Sequence, residues 1–115
     1  MNFSRGDVVT VLFPHSNLRT ATARPVLIVQ RDGLGTGLDQ IIVAMITRNM
    51  TRAGHPSRVT VLVASEEGKQ SGLRGDSVIM LDNLATVRDT QIDRTIGRLA
   101  TVASVDTALR HALAL

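Results

Sequence analysis

The apolar residues of this chain come in runs that are too short to form helices. Residues 26–29, and residues 41–46 after Gln40, are apolar and mostly β-branched or aliphatic, and Pro25 marks the entry to the first run. Runs of about four to eight such residues between turn signals are typical of buried strands, since helices are normally longer. Further short runs of this kind lie at residues 8–13, 59–63, 77–84 and 94–100.

Only the end of the chain carries helical spacing. Its apolar positions recur at Val102, Val105, Leu109, Ala112 and Leu113. Thr101 precedes them as the predicted N-cap of an amphipathic helix, whose apolar stripe predicts core or dimer packing. The sequence therefore predicts a mainly β fold, a strongly curved antiparallel SH3-like barrel with a C-terminal α-helix. Residues 26–29 and 41–46 are its predicted core.

Composition restricts the chemistry. A chain of 115 residues predicts one domain, residues 1–115, with 43% hydrophobic and 20% charged residues. It has no cysteine, and His15, His55 and His111 are far apart in sequence, so we expect no thiol chemistry, metal or other cofactor. The net charge of +3 permits an anionic partner, but 2% aromatic residues provide little base stacking. No apolar run is long enough to span a membrane, which predicts a cytoplasmic protein.

Arginines stand where the predicted strands end. Arg24 precedes Pro25, and the residue before a proline is held extended, so its guanidinium is mounted at the end of a rigid strand. Residues 15–23 form a polar loop between strands, a common position for binding groups. A second polar loop carries Arg48, Arg52 and Arg58, which could form a basic rim. We expect a linker over residues 65–76 and a turn over residues 85–93, with Ile92 as its anchor.

Several segments resemble the MazF/PemK family of toxin endoribonucleases in order through nearly the whole chain. They are Gly6-Asp7-Val8-Val9, Phe13-Pro14, Arg24-Pro25-Val26-Leu27-Ile28-Val29, Val43-Ala44-Met45-Ile46-Thr47, Gly72-Leu73 with Ser77-Val78, Asp82-Asn83-Leu84-Ala85-Thr86 and Ile96-Gly97-Arg98-Leu99. The resemblance implies the toxin of a type II toxin–antitoxin system, a homodimer that cleaves single-stranded mRNA at a short sequence without ribosomes or metal. It also implies a MazE-like antitoxin as partner.

The resemblance assigns catalysis to Arg24 and Thr47. Attack by the substrate's own 2′-hydroxyl would leave a 2′,3′-cyclic phosphate and a 5′-hydroxyl, and a fixed guanidinium would stabilise the charged phosphorane. His15, Asp82 and water are the alternatives for the proton acceptor, since arginine remains charged. The predicted RNA-binding residues are Ser16, Asn17, Arg19, Ser77 and Asn83.

Two positions depart from the pattern of some family members. Met80 stands where they have an arginine before the aspartate at position 82, and Ala85 replaces the arginine of an Arg-Thr pair. Two other functions therefore remain open. One is a CcdB-like toxin that inhibits DNA gyrase by binding it, and the other is a decayed homologue that binds RNA or antitoxin without cleavage. Retention of Arg24-Pro25 and Thr47 favours the nuclease.

Overall fold

The computed structural model describes residues 3–100 and 102–115. The strands are β1 (Asp7–Pro14), β2 (Ala21–Ile28), β3 (Gln40–Thr47), β4 (Arg58–Val61), β5 (Ser77–Arg88) and β6 (Ile92–Arg98). The helices are α1 (Glu66–Ser71) and α2 (Ala103–Leu113), with short 3-10 turns at Met50–Arg52 and Asp89–Gln91. The predicted N-cap Thr101 lies outside the described residues, and Val102 occupies the N-cap position of α2.

The strands form one antiparallel sheet in the order β4-β5-β3-β2-β1-β6. The sheet is curled into a half-barrel and carries the helix α2 at its C-terminal end, so the predicted mainly β fold with a C-terminal helix is confirmed. β1 and β2 pair without interruption from Val8 and Leu27 to Pro14 and Ala21. The hairpin therefore extends into the predicted polar loop, which is shortened to residues 15–20.

Side chains are buried on both faces of the sheet, because successive residues of a strand point to opposite sides. We call the core that includes Val105 and Ala108 of α2 the first core and the other the second core. The first core comprises Val8, Leu27, Val29, Ala44, Ile46, Val59, Val61, Leu73, Ile79, Leu81, Leu99, Val105 and Ala108. The second comprises Val9, Val11, Val26, Ile28, Ile41, Val43 and Val87. The prediction that residues 26–29 and 41–46 form the core is confirmed.

β5 is longer than predicted and contains a bulge. Ala44 pairs with Leu84 while the next residue, Met45, pairs with Met80, so residues 81–83 are extra on β5. The strand continues after this bulge to Arg88 because Val87 is buried in the second core. The prediction of a turn over residues 85–93 is therefore wrong, although Ile92 does pack against the second core.

The predicted linker over residues 65–76 contains the helix α1. Ser65 is its N-cap and accepts a hydrogen bond from the Gly68 N–H, and Gly72 ends the helix at φ +72°. The end of α1 crosses β6 with the two backbones in contact. A Cβ atom on Gly72 would lie 2.0 Å from the Ile96 carbonyl oxygen, and one on Gly97 would lie 2.3 Å from the Ser71 carbonyl carbon. Only glycine fits at this crossing, which fixes the loop after α1 beside β6.

α2 ends the described chain. Val105 and Ala108 are buried against β4 and β5, Leu109 packs against the same core, and Leu113 is half-exposed. The predicted stripe of Val105 and Leu109 therefore packs in the core. Among the helices in the described part of the chain, none has the length and apolar character needed to cross a bilayer.

Candidate active site

Arg24 lies in the middle of β2, which begins earlier than predicted, and Thr47 is the last residue of the neighbouring strand β3. β2 and β3 pair at Val26 with Met45, and continuing this register by two residues brings Arg24 opposite Thr47. The recorded pairing stops beside Pro25, which has no N–H to donate. Both positions alternate onto the face of the second core, since Val26 and Met45 pack there. Arg24 is exposed and Thr47 is half-buried.

The hydroxyl of Thr47 is oriented by the turn that follows β3. Its Oγ1 accepts the backbone N–H of Asn49 at 3.1 Å. The side chain of Asn49 stabilises that turn, because its Oδ1 accepts from both the backbone N–H and the hydroxyl of Thr51, at 3.2 and 2.7 Å. With a lone pair of Thr47 Oγ1 occupied, its hydroxyl proton is available to donate outward to an anionic oxygen.

The loop of the first hairpin places His15 on the same side as Arg24. Its Nδ1 lies 2.6 Å from Thr20 Oγ1, and its Nε2 contacts Thr22 Oγ1. Thr22 is two residues before Arg24 on β2, so both alternate onto one face of the strand. The two contacts hold the imidazole against the hairpin at the approach to Arg24.

The other predicted residues of this loop differ in their roles. Asn17 Oδ1 accepts the backbone N–H of Arg19 at 2.9 Å, which closes an Asx turn with Leu18 at φ 58°. This carbonyl oxygen shapes the loop, while the amide nitrogen remains on an exposed side chain. Ser16 and Arg19 are exposed as well.

Asp82 lies in the β5 bulge and is ion-paired. Its two carboxylate oxygens accept from Arg58 Nη2 at 2.8 Å and Nε at 3.3 Å. The hydrogen bonds from Arg58 hold the pKa of the Asp82 carboxyl below its usual value, and the same pairing raises the pKa of the Arg58 guanidinium. The carboxylate is therefore a weaker proton acceptor than a free one. Asn83, the neighbouring RNA-binding candidate, is exposed in the same bulge.

A cleft of about 600 Å³ lies on the other side of β2, where the first core meets the surface. We call it the arginine cleft. Its lining includes Pro25, Arg48, Leu73, Arg74, Ser77 and Arg94. Ser77 is 1% exposed, and its Oγ donates to the Gly75 carbonyl at 2.9 Å, so this predicted RNA-binding residue also shapes the loop.

The three arginines that were predicted to form one basic rim do not lie together. Arg48 lines the arginine cleft and its guanidinium lies against Gly75, where an added Cβ would be 2.2 Å from Arg48 Nη2. Arg58 instead pairs with Asp82 and donates to the Arg52 carbonyl at 3.1 Å. A single basic rim is not formed, because β3 and β4 direct these side chains to different places.

Two histidines that are distant in sequence meet beside α2. The rings of His55 and His111 are 6.0 Å apart between centroids. His111 Nδ1 lies 2.8 Å from Ser57 Oγ, and His55 Nδ1 accepts the Ser57 N–H at 3.0 Å. Across residues 3–100 and 102–115, no three His, Cys, Asp or Glu side chains gather as a metal-binding group.

Comparison with known proteins places this geometry in a family. Residues 4–113 match the model of the PemK-like, MazF-like toxins of type II toxin–antitoxin systems. The chain belongs to the PemK/MazF toxin family. It is 32% identical over 118 residues to Endoribonuclease EndoA from Bacillus subtilis strain 168, a match that covers 100% of this chain and 97% of that protein.

Solved PemK/MazF structures have the same fold. The Mycobacterium tuberculosis toxin MazF-mt6 is 27% identical with a TM-score of 0.70, and the match covers 95% of this chain and 97% of that one. A mycobacterial endoribonuclease in complex with its cognate antitoxin has a TM-score of 0.74 at 23% identity, over 98% of this chain and 96% of that chain. The predicted resemblance to MazF and PemK toxins is confirmed.

Three residues around the candidate site were not predicted from the sequence: Asn49, Arg74 and Arg94. Asn49 had a local signal, because a threonine two residues before an Asn-x-Thr turn accepts a backbone N–H in a common turn motif. Arg74 and Arg94 had no such signal. They follow α1 and lie on β6, respectively, and only the contact between these elements brings them into one cleft.

Proposed function

We propose that this toxin cleaves single-stranded RNA with Arg24 and Thr47 at the reacting phosphate. The endoribonuclease class predicted from the resemblance is confirmed by the relatives. The observation that supports the site assignment is the pairing of Val26 with Met45, whose register, continued by two residues, aligns Arg24 with Thr47 on one side of β2 and β3. An exposed guanidinium and a hydroxyl with a proton to donate are the donors that a pentacoordinate phosphate requires.

The reaction follows from these groups. The substrate's 2′-oxygen forms a bond to phosphorus while the bond from phosphorus to the 5′-oxygen breaks, leaving a 2′,3′-cyclic phosphate. The 2′-hydroxyl proton passes to an acceptor, and the departing 5′-oxygen takes up a proton. Arg24 stabilises the charge on the non-bridging oxygens, and Thr47 donates its hydroxyl hydrogen to one of them.

His15 is the proton acceptor that the geometry favours over Asp82. The imidazole lies on the face of Arg24 through its contact with Thr22. An imidazole nitrogen can accept a proton, and both nitrogens of His15 contact neutral threonine hydroxyls, which can turn away without breaking an ion pair. Asp82 is engaged by Arg58 through both carboxylate oxygens, and the lowered pKa makes it a weak base. Exposed Ser16, Asn17, Arg19 and Asn83 are proposed to contact RNA around this centre, whereas Ser77, which is buried and bonded to the Gly75 carbonyl, is proposed to shape its loop instead.

The remaining assignments also belong to this proposal. The protein functions as one domain over residues 1–115, as a homodimer in the cytoplasm, without metal. A MazE-like antitoxin neutralises it, supported by the mycobacterial structure solved with its cognate antitoxin. The family match favours the nuclease over a CcdB-like gyrase inhibitor.

The test is cleavage of a long single-stranded RNA in excess EDTA, followed by mapping of the fragment ends. We expect discrete cuts with 2′,3′-cyclic phosphate ends. Arg24→Ala should lower the rate by about a hundred- to a thousandfold, as loss of one preorganised donor does. Thr47→Ala should also be severely impaired. Arg110→Ala, which removes an exposed arginine on α2, is the matched control and should cut normally.

Two results would contradict the proposal. Cleavage by Arg24→Ala or Thr47→Ala at the rate of the unmodified protein would remove these residues from the site. Absence of any cleavage by a folded protein that still arrests growth would point to a binding toxin or a decayed homologue.

A further inference from the structure

The arginine cleft gathers guanidinium groups that have no acidic partner. Within residues 3–100 and 102–115, the ion pairs join Arg5 with Asp106, Arg58 with Asp82 and Arg98 with Asp7. None of the cleft arginines 48, 74 and 94 takes part in them. Asp93 also lines the cleft, and its carboxylate lies 3.4 Å from Thr10 Oγ1. Positive charge therefore exceeds negative charge in the lining.

These arginines are fixed by different parts of the fold. Arg74 belongs to the loop that the close crossing of α1 and β6 holds in place, and Arg94 lies on β6 itself. The guanidinium of Arg48 packs against Gly75, the residue that directly follows Arg74 in the chain. A cleft built from a rigid loop, a strand edge and a packed side chain retains its shape before a ligand arrives, which lowers the cost of binding.

The cleft adjoins the proposed catalytic pair in the chain. Ala23 and Pro25, which flank Arg24, line it, and Arg48 follows Thr47 directly. These residues alternate to the face opposite to Arg24 and Thr47. The cleft is therefore next to the proposed reacting centre in the chain but opens on the other side of the strands. An RNA strand held at the reacting phosphate would therefore reach the cleft with the part on one side of the cleaved bond, either its 5′ or its 3′ part.

We propose that the arginine cleft binds the backbone phosphates of the RNA strand on one side of the cleaved bond. This inference rests on the proposed function and adds to it a second binding site that holds the strand without taking part in the chemistry. Arg74 and Arg94 contact phosphate oxygens, because guanidinium groups match phosphate in geometry and charge. The volume of about 600 Å³ lies in the range of ordinary ligand pockets.

An acidic peptide is the competing occupant. Ala23, Pro25 and Arg48 line the cleft and are chain neighbours of Arg24 and Thr47, and this continuity favours a strand that is already held at the reacting phosphate.

The experiment compares the KM values of RNA substrates of different lengths. The shortest oligonucleotide that the protein cuts is extended by about four nucleotides, a typical span of a single-strand site, at either its 5′ or its 3′ end. Arg74→Ala and Arg94→Ala should raise KM about tenfold each for the RNA extended at one of the two ends, as expected for a lost charged hydrogen bond. KM for the shortest RNA should stay unchanged, as should kcat. Arg110→Ala should leave every value unchanged.

Salt provides a second readout. For the sensitive RNA, the slope of log kcat/KM against log salt concentration should fall by about 0.7 for each phosphate contact removed. Binding of the same RNA, labelled and followed by fluorescence anisotropy, should show the same loss of affinity without requiring cleavage. Thermal unfolding checks the fold, and Arg94→Glu, which introduces repulsion at an exposed position, should weaken binding further.

The outcomes separate this inference from the proposed function. Equal KM values for all RNA lengths in the cleft variants, with normal cleavage by the unmodified protein, would overturn the inference alone. Loss of affinity for an acidic antitoxin peptide with unchanged RNA affinity would also overturn it and assign the cleft to a protein partner. Failure of the unmodified protein to cut any RNA would reject the proposed function, and anisotropy would then still decide whether Arg74 and Arg94 bind RNA.

Discussion

The molecule has two arginine-containing regions that differ in how their charges are satisfied. At the proposed catalytic pair and in the adjoining arginine cleft, the guanidinium groups of Arg24, Arg48, Arg74 and Arg94 take no part in the ion pairs among the described residues. At the corner where β4, β5 and α2 meet, Arg58 is bonded to Asp82 through two nitrogens, and Ser57 is bonded to His111. We call the first region the open end and the second the partnered corner.

The difference distinguishes binding groups from structural ones. A charged side chain that already has a partner must give up that interaction before it can contact a ligand. An unpaired guanidinium on a rigid strand has no such cost. The open end is therefore suited to an anionic strand, whereas the partnered corner attaches α2 and β4 to the sheet. Substitutions in the first should change catalysis, and those in the second should change stability.

The largest of the following effects concerns Asn49 at the open end. Asn49→Ala keeps the backbone N–H that reaches Thr47 Oγ1 but removes the Oδ1 acceptor that fixes the turn through Thr51. We expect kcat to fall about tenfold with KM unchanged, since small displacements of a reacting group cost rates of this size or more. Single-turnover cleavage of a short RNA measures the change.

The conservative variant provides the control for Asn49. Asn49→Asp retains a side-chain oxygen that can accept from Thr51 and should restore most of the rate, because both residues are favoured at such turns. If Asn49→Ala cuts RNA as fast as the unmodified protein, the turn does not position Thr47.

The sequence predicted the sheet better than it predicted the site. Strand runs such as residues 26–29 and 41–46 are local signals, and their burial follows directly from their composition. The bulge of β5 was missed because it depends on how Ala44 and Met45 pair with a partner strand. The helix α1 was missed although Ser65 and Gly72 are recognisable cap residues, since glycine and polar side chains also indicate a linker.

The residues of the candidate site also divide into those with a local sequence signal and those that only the fold brings together. Arg24 and Thr47 could be predicted from the sequence because each is adjacent to a recognisable strand segment of the family pattern. The meeting of His55 with His111 could not be inferred from sequence, because β4 and α2 are brought together only by the packed first core. The arginine cleft depends on the same kind of distant contact.

The partnered corner predicts a smaller effect on stability. Ser57 is 3% exposed, and its Oγ bonds to His111 Nδ1 at 2.8 Å. Ser57→Ala should lower the free energy of unfolding by about 1 kcal/mol, the usual net value of a hydrogen bond. Urea denaturation measures the change, with Ser104→Ala at an exposed position of α2 as control. The rate of RNA cleavage should not change, and a large loss of rate would place this corner in the site.

The smallest effect is the pH dependence of the Arg58–Asp82 pair. Because the pKa of Asp82 is lowered in the folded protein, the pair stabilises the fold above the unfolded pKa of an aspartate, about 3.9, and this contribution is lost as the pH falls through the lower folded value. Asp82→Asn should therefore reduce the urea midpoint slightly at neutral pH, and the difference should shrink below about pH 4. The effect is small because both side chains are partly exposed, 18% for Arg58 and 31% for Asp82.

Cleavage by the same Asp82→Asn variant decides between the two regions. If Asp82 only pairs with Arg58, the variant cuts RNA at neutral pH at nearly the unmodified rate, while His15→Ala is slow. Asp39→Asn, which changes an exposed aspartate elsewhere, controls for the lost charge. If Asp82→Asn abolishes cleavage without unfolding the protein, Asp82 is the proton acceptor and the partnered corner belongs to the active site. The ion pair with Arg58 would then have to open during each turnover, because both carboxylate oxygens of Asp82 accept hydrogen bonds from the charged Arg58 in the folded protein.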